Sequence, residues 1–234
     1  VVLFPWEDLD RVQQMFSDLN RTARTTSKSL NILYNHRDLL SQIALTVVER
    51  VPVFNRFVDK DRISLPLRSP KLFTLGAIYD ATVALLNSAA QPDYDQKLAQ
   101  ALEFWETVAR NMPLWGQVEA GDLKPAELRQ EYICTHAVVL WALGAMGRAL
   151  MAEKPMEWQT LLGALKRIDW RRTNREWQGV AMSGTDVVNR RQSRMDTASL
   201  LKRKLGLTLT PGEERSLKGA QAVMDELKEL IRSK

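Results

Sequence analysis

Apolar residues recur at helical spacing along most of this chain, and no stretch longer than a few residues alternates apolar with polar side chains. That pattern excludes a fold built on half-buried strands and predicts a mainly α protein, a multi-helix bundle. Leu40, Ile43, Ala44, Val47, Val48 and Val51 form one stripe, closed by Pro52. Leu72, Leu75, Tyr79, Thr82, Val83 and Leu86 form a second, opened by Ser69-Pro70 as a cap with proline in the first turn. Leu98, Ala101, Leu102, Trp105, Val108 and Met112 form the cleanest. Residues 7–18 read as an amphipathic helix, 125–153 as one long helix ending before Pro155, 158–168 as a short one, and 197–205 as one stopped by Gly206. Thr210-Pro211-Gly212-Glu213 fits a capping box that opens a last helix, with Leu217, Ala220, Met224, Leu227 and Ile231 on one face. Strand is expected only in the first few residues or in 53–68, and 113–124 reads as a loop. Trp105 and Trp141 are expected in the core.

The longest apolar run, 132–147, is interrupted by Thr135 and His136. It falls short of the ~18 uninterrupted residues a membrane span needs and reads as a buried helix. With 45% apolar and 26% charged residues the chain has the balance of an ordinary globular protein. A single cysteine, Cys134, excludes an internal disulfide framework and fits a reducing compartment. Two histidines and that cysteine offer little to a metal. Cys134 and His136, two apart on an expected helix, project to different sides, so neither a metal site nor a catalytic constellation is expected.

Charge is unevenly distributed. Residues 166–204 carry eleven Lys/Arg against four Asp/Glu, a local balance of +7, whereas the rest of the chain sums to −2. A basic stretch on a near-neutral body suggests a surface for a polyanion such as double-stranded DNA; a solvated positive face is the plainer alternative. If residues 167–177 are helical, Trp170 and Trp177 share one face, and Arg167, Arg171 and Arg175 form a stripe beside it. Arg172, Arg190, Arg191 and Arg194 complete the candidate DNA-contacting set. A second basic segment lies at 16–37. It combines Arg21, Arg24 and Lys28 with Asn20, Thr22, Thr25, Thr26, Ser27 and Ser29, groups that suit phosphate. A polar turn between two helices explains that composition equally well. Asp59 and Asp61, one residue apart in an expected extended stretch, are candidates for an acidic site; Lys60 and Arg62 would also neutralise them at a surface turn.

Phe16-Ser17-Asp18-Leu19-Asn20-Arg21-Thr22, followed by Thr26-Ser27-Lys28-Ser29-Leu30, resembles the signature of the DGQHR-domain family. Val58 to Leu65 with Arg68-Ser69-Pro70-Lys71, and Ile168 to Asn174 with Trp177, narrow the resemblance to that family's DndB branch of DNA sulfur-modification proteins. The Asp-Gly-Gln-His-Arg motif itself is absent. The chain opens on Val1-Val2-Leu3-Phe4-Pro5-Trp6, which reads as the last strand of a missing ParB/sulfiredoxin-like α+β domain, and hence as a C-terminal fragment. The expected organisation is 1–37 as the end of the DGQHR domain and a basic connection, 38–165 as a helical body, and 166–234 as a basic helical region.

The resemblance implies a prokaryotic cytoplasmic protein, a DNA-binding component and transcriptional regulator of a DNA phosphorothioate modification system. The alternative it leaves open is a nucleotide-hydrolysing subunit. There, Asn20, Arg21, Arg24 and Lys28 would hold ATP phosphates together with the missing domain, making ATP the cofactor of the full-length protein. Other phosphorothioate-modification proteins and a homo-oligomer are further partners this reading allows.

Overall fold

The computed structural model describes residues 9–23, 28–35, 38–87 and 93–220, with side chains described outside 19–23. The architecture is mainly helical with two small two-stranded sheets. The helices are α1 (Leu9–Ala23), α2 (Lys28–Tyr34), α3 (Leu39–Arg50), α4 (Pro52–Phe57), α5 (Leu75–Leu86), α6 (Tyr94–Arg110), α7 (Pro113–Ala120), α8 (Pro125–Glu131), α9 (Ala137–Glu153), α10 (Trp158–Leu161) and α11 (Arg191–Lys204), followed by α12 (211–220). Strand β1 (Val58–Asp59) pairs in parallel with β2 (Phe73–Thr74), and β3 (Met182–Ser183) pairs with β4 (Asp186–Val187) as a hairpin turning on Gly184, whose φ is 60°. The strand expected at the N-terminus lies outside the described residues.

The core is organised around α9, which packs chiefly against α5 and α11, while α3 lies across α5 and α6. Small residues let the central helices approach closely. A Cβ on Gly144 would stand 2.0 Å from the Ala81 carbonyl oxygen of α5, and one on Gly147 would stand 2.3 Å from the Phe104 ring of α6. Four aromatic side chains, Phe54, Phe73, Trp105 and Trp115, are fully buried and meet edge to face or tilted, with centroids 5.1 to 5.8 Å apart. Trp105, placed in the core by its stripe, is fully buried and donates through Nε1 to Thr82 Oγ1 at 3.1 Å. Trp141 is only half-buried and packs at the margin of the core.

Several elements depart from the sequence reading for identifiable reasons. The long helix expected over 125–153 is two helices. At the break, Tyr132 is extended and forms an antiparallel bridge with Arg171. The Ile133 amide donates to Trp170 O at 2.9 Å, and the Arg172 amide donates to Glu131 O at 2.8 Å. A distant segment thus supplies the hydrogen bonds a continuing helix would have made, and tertiary pairing overrides the local pattern. Residues 168–174, considered above as part of a helix over 167–177, are not helical: they carry the bridge at Arg171 and then a turn. Trp170 and Trp177 still share a face. Their rings stack at 5.4 Å and 11°, held by indole donation to Leu165 O and Asp169 O. Arg167, Arg171 and Arg175 do not form a helical stripe.

Pro52 starts a helix as well as closing one, because proline suits the first helical position. Pro113 does the same for α7 in the expected loop, and Gly121, at φ 87°, ends it. The cap of α5 is Thr74, whose Oγ1 accepts from the Ala77 amide; Ser69 Oγ accepts from the Lys71 amide in a turn instead. α11 starts at Arg191, six residues ahead of the expected Thr197. At its other end the Gly206 amide reaches Arg203 O, and the Leu207 amide reaches Lys202 O. With Gly206 at φ 76° this is a Schellman closure. The capping box at 210–213 forms as expected: the Thr210 amide donates to Glu213 Oε2, and the Glu213 amide donates to Thr210 Oγ1.

Candidate nucleic-acid interface

Asp80 is the only charged residue within α5, and two cations from opposite ends of the chain converge on it. Lys28 Nζ, at the start of α2, pairs with Asp80 Oδ1, and Arg194 Nη1, from α11, lies 3.9 Å from Oδ2. Lys28 also sits over the Tyr79 ring at 5.4 Å. The Tyr79 hydroxyl donates to Asp38 Oδ2 at 3.1 Å, and burial, with the Asp38 charge behind it, pushes the phenol up to about 12. Next to Lys28, Ser29 is buried. Its Oγ donates to Arg62 O at 3.1 Å and accepts from the Gly76 amide at 3.2 Å, which ties the 60–68 loop to α2 and α5. The basic N-terminal segment, the 58–71 segment and the start of α11 therefore meet at one place. Asp80 escaped the sequence reading; its signal was a lone charge inside an apolar helical stripe.

The N-terminus of α11 is electrostatically unusual. Arg190 occupies the cap position and makes no side-chain cap, and the first turn holds no acidic residue. The amides of Arg191, Gln192 and Ser193 thus lack intrahelical acceptors. Arg191 and Arg194 add full positive charges where the helix dipole is already positive, an arrangement that favours an anion and disfavours the bare protein. Arg190 and Arg191 are exposed; Arg194 is half-buried and donates through Nε to Asn189 Oδ1 at 2.7 Å.

The remaining candidates are placed elsewhere. Lys204 Nζ pairs with Glu176 at 2.7 Å and is the first cause of that carboxylate's lowered pKa. Arg175 therefore lies near the C-terminal end of α11, about 20 Å along the axis from Arg191 at 1.5 Å per residue. Arg171 is exposed and 3.8 Å from Asp169. Arg172 joins α8 to the hairpin, donating through Nη1 to Gln130 O at 3.1 Å and through Nη2 to Thr185 O at 2.6 Å. Arg167 is exposed at the end of a short 3-10 turn. Asp59 Oδ1 accepts from the Asp61 and Arg62 amides at 3.0 and 2.9 Å, and Oδ2 lies 3.6 Å from Arg62 Nε, which makes it the organiser of a turn. Asn20 and Arg21 fall on the backbone of α1 with side chains outside the described residues, and Arg24 lies outside them altogether.

Beside the α11 N-terminus a cleft of about 770 Å³ opens between α9, α11 and α12. Ala145, Ala149 and Ala198 form its small-residue walls, with Trp141 and the exposed Met195 at its side. Arg148, Arg191 and Arg194 line it as well. Asp196, 4% exposed, reaches it from α11. Its Oδ1 accepts from Ser216 Oγ at 2.6 Å and from Gln192 Nε2 at 3.0 Å. Lys202 and Glu213 also line the cleft, but they pair with each other at 2.8 Å.

Among the described residues, no cluster of three or more His, Cys, Asp or Glu is placed to hold a metal ion, and no helix is long and apolar enough to cross a membrane. Cys134 is fully buried at the α8–α9 break, and desolvation raises its thiol to about 12.

No curated protein and no solved structure matches the chain. The family model that does match is DndB, described as DNA-sulfur modification-associated. It covers residues 1–208, the span that contains α11 and the groups converging on Asp80, and the chain belongs to that family.

Proposed function

We propose that this helical chain binds double-stranded DNA through its phosphates, as the DNA-contacting and transcription-regulating component of a phosphorothioate modification system. The observation that carries the reading is the convergence on Asp80, where one cation from each basic segment of the sequence, Lys28 and Arg194, meets the other. Around it stand the exposed Arg190 and Arg191 and the uncapped amides of α11, groups that bind phosphate oxygens without reading bases. Family membership supports an association with DNA sulfur modification. Arg175, near the far end of α11, and the exposed Arg167 and Arg171 would extend contact along the duplex; Arg172, with both terminal nitrogens on backbone carbonyls, would act by holding the surface in shape.

The test is the salt dependence of duplex binding. Each neutralised phosphate contributes roughly −0.9 to the log–log slope. Replacing Arg190 and Arg191 together by alanine should flatten the slope by about 2 and weaken operator and random duplex alike. Both side chains are exposed, so the melting temperature should hold. An unchanged slope and affinity in the folded double variant would remove the α11 N-terminus from the interface.

A further inference from the structure

The cleft between α9, α11 and α12 has features that a DNA surface does not require. Its volume of about 770 Å³ lies in the range of small-molecule sites, roughly 300–1,000 Å³. Three alanines leave that space open, one from α11 and two from α9. Three arginines line it from two helices, while the nearby Glu213 is taken up by Lys202 and by the cap of α12. The one remaining carboxylate, Asp196, is almost wholly buried. Both donors that reach it go to Oδ1, and no described group donates to Oδ2. Oδ2 keeps some access to solvent, and a ligand in the cleft can supply its donor.

We infer that this cleft is a binding site for a nucleoside phosphate, whose occupation competes with DNA. The phosphates meet the free amides of the α11 N-terminus with Arg191, Arg194 and Arg148. The base lies along the alanine wall beside Trp141, an indole able to stack on it, and its exocyclic amine donates to Asp196 Oδ2. Arg191 and Asp196 are separated by about 7 Å along the helix axis, the scale of one nucleoside. Arg191 and Arg194 belong to both the cleft and the proposed DNA surface, so a bound nucleotide neutralises cations that the duplex would use. The competition rests on the DNA reading above; the nucleotide site does not.

Calorimetric titration without DNA, using ATP, GTP and inorganic tripolyphosphate as probes, separates the two. At least one nucleotide should bind saturably and at least tenfold more tightly than tripolyphosphate. Ala149→Phe, which fills the cleft, should abolish nucleotide binding and leave duplex affinity unchanged. Ala145→Leu is the second filler should the first not fold. Arg191→Ala should weaken the nucleotide about tenfold. Absence of saturable binding at millimolar nucleotide overturns the site. So does tripolyphosphate binding as tightly as the nucleotides and indifferent to both fillers, which would leave an anion site at the helix end and no cleft ligand. A labelled duplex titrated with and without nucleotide then reads the competition. The duplex Kd should rise severalfold with nucleotide; an unchanged Kd with a bound nucleotide overturns the competition alone, and a duplex that never binds overturns the DNA reading instead.

Discussion

His136 sits at the α8–α9 break with Nε2 3.0 Å from Arg129 O. A carbonyl only accepts, so Nε2 carries the proton and the ring is the neutral tautomer. Burial, followed by the neighbouring Arg172 and Arg129 charges, pushes its pKa from 6.5 down to about 4. Between those values the unfolded chain binds the proton and the folded one does not, so stability rises with pH. The contribution is complete above about pH 6.5 and is lost as pH falls toward 4, amounting to about 3 kcal/mol at the acid end. Urea unfolding at pH 7.5 and 4.5 should show that loss, and His136→Gln should reduce it; equal acid sensitivity in the variant would assign the effect to the carboxylates. Asp80 has a different consequence. Asp80→Asn removes the anion between Lys28 and Arg194, both of which are partly exposed, so stability should fall by about 1 kcal/mol or less. Duplex affinity should rise, with a slope steeper by up to about one phosphate; a lower affinity in the folded variant would mean that Asp80 positions the cations. Residues of this kind are hard to read from a sequence. The Arg/Lys richness of 166–204 was visible, but which cations face solvent depends on acceptors far along the chain, such as Thr185 O for Arg172 and Glu176 for Lys204.

Among the elements, α5 and α9 meet where Gly144 faces the Ala81 carbonyl. Adding a methyl there puts carbon 2.0 Å from a backbone oxygen that cannot rotate away. Gly144→Ala should therefore cost about 3 kcal/mol, the upper part of the range for overpacking, despite the better helix propensity of alanine. A variant as stable as the parent would show that the two helices can slide apart. Periodicity found the helices whose burial it records, α3, α5 and α6, because a stripe is the imprint of a packed face; α9, buried on most sides, showed only as an apolar run. Periodicity failed where another force decides. The 132–136 break follows from pairing with 170–172, and α4 and α7 are short, proline-initiated helices with too few turns for a stripe.

Over the whole molecule one continuous set of buried side chains runs from Ile32 to Leu217. Unfolding should accordingly be a single cooperative transition, with far-ultraviolet circular dichroism and tryptophan fluorescence coinciding in midpoint. Trp158, Trp170 and Trp177 report on the C-terminal part of that core, and Trp105 and Trp115 on its centre. Separated transitions would show that residues from about 166 onward melt independently.

α9 is covered on one side by α5, made before it, and on another by α11, made long after it. On a translating ribosome the face awaiting Leu200, Leu201, Leu205 and Leu207 stays wet and apolar until those residues have been made. The α8–α9 junction likewise waits for the Trp170 and Arg172 backbone before its hydrogen bonds close. A nascent chain of this protein thus depends on chaperones or on speed, and a message cut short ahead of α11 yields an adhesive remnant rather than a smaller working domain.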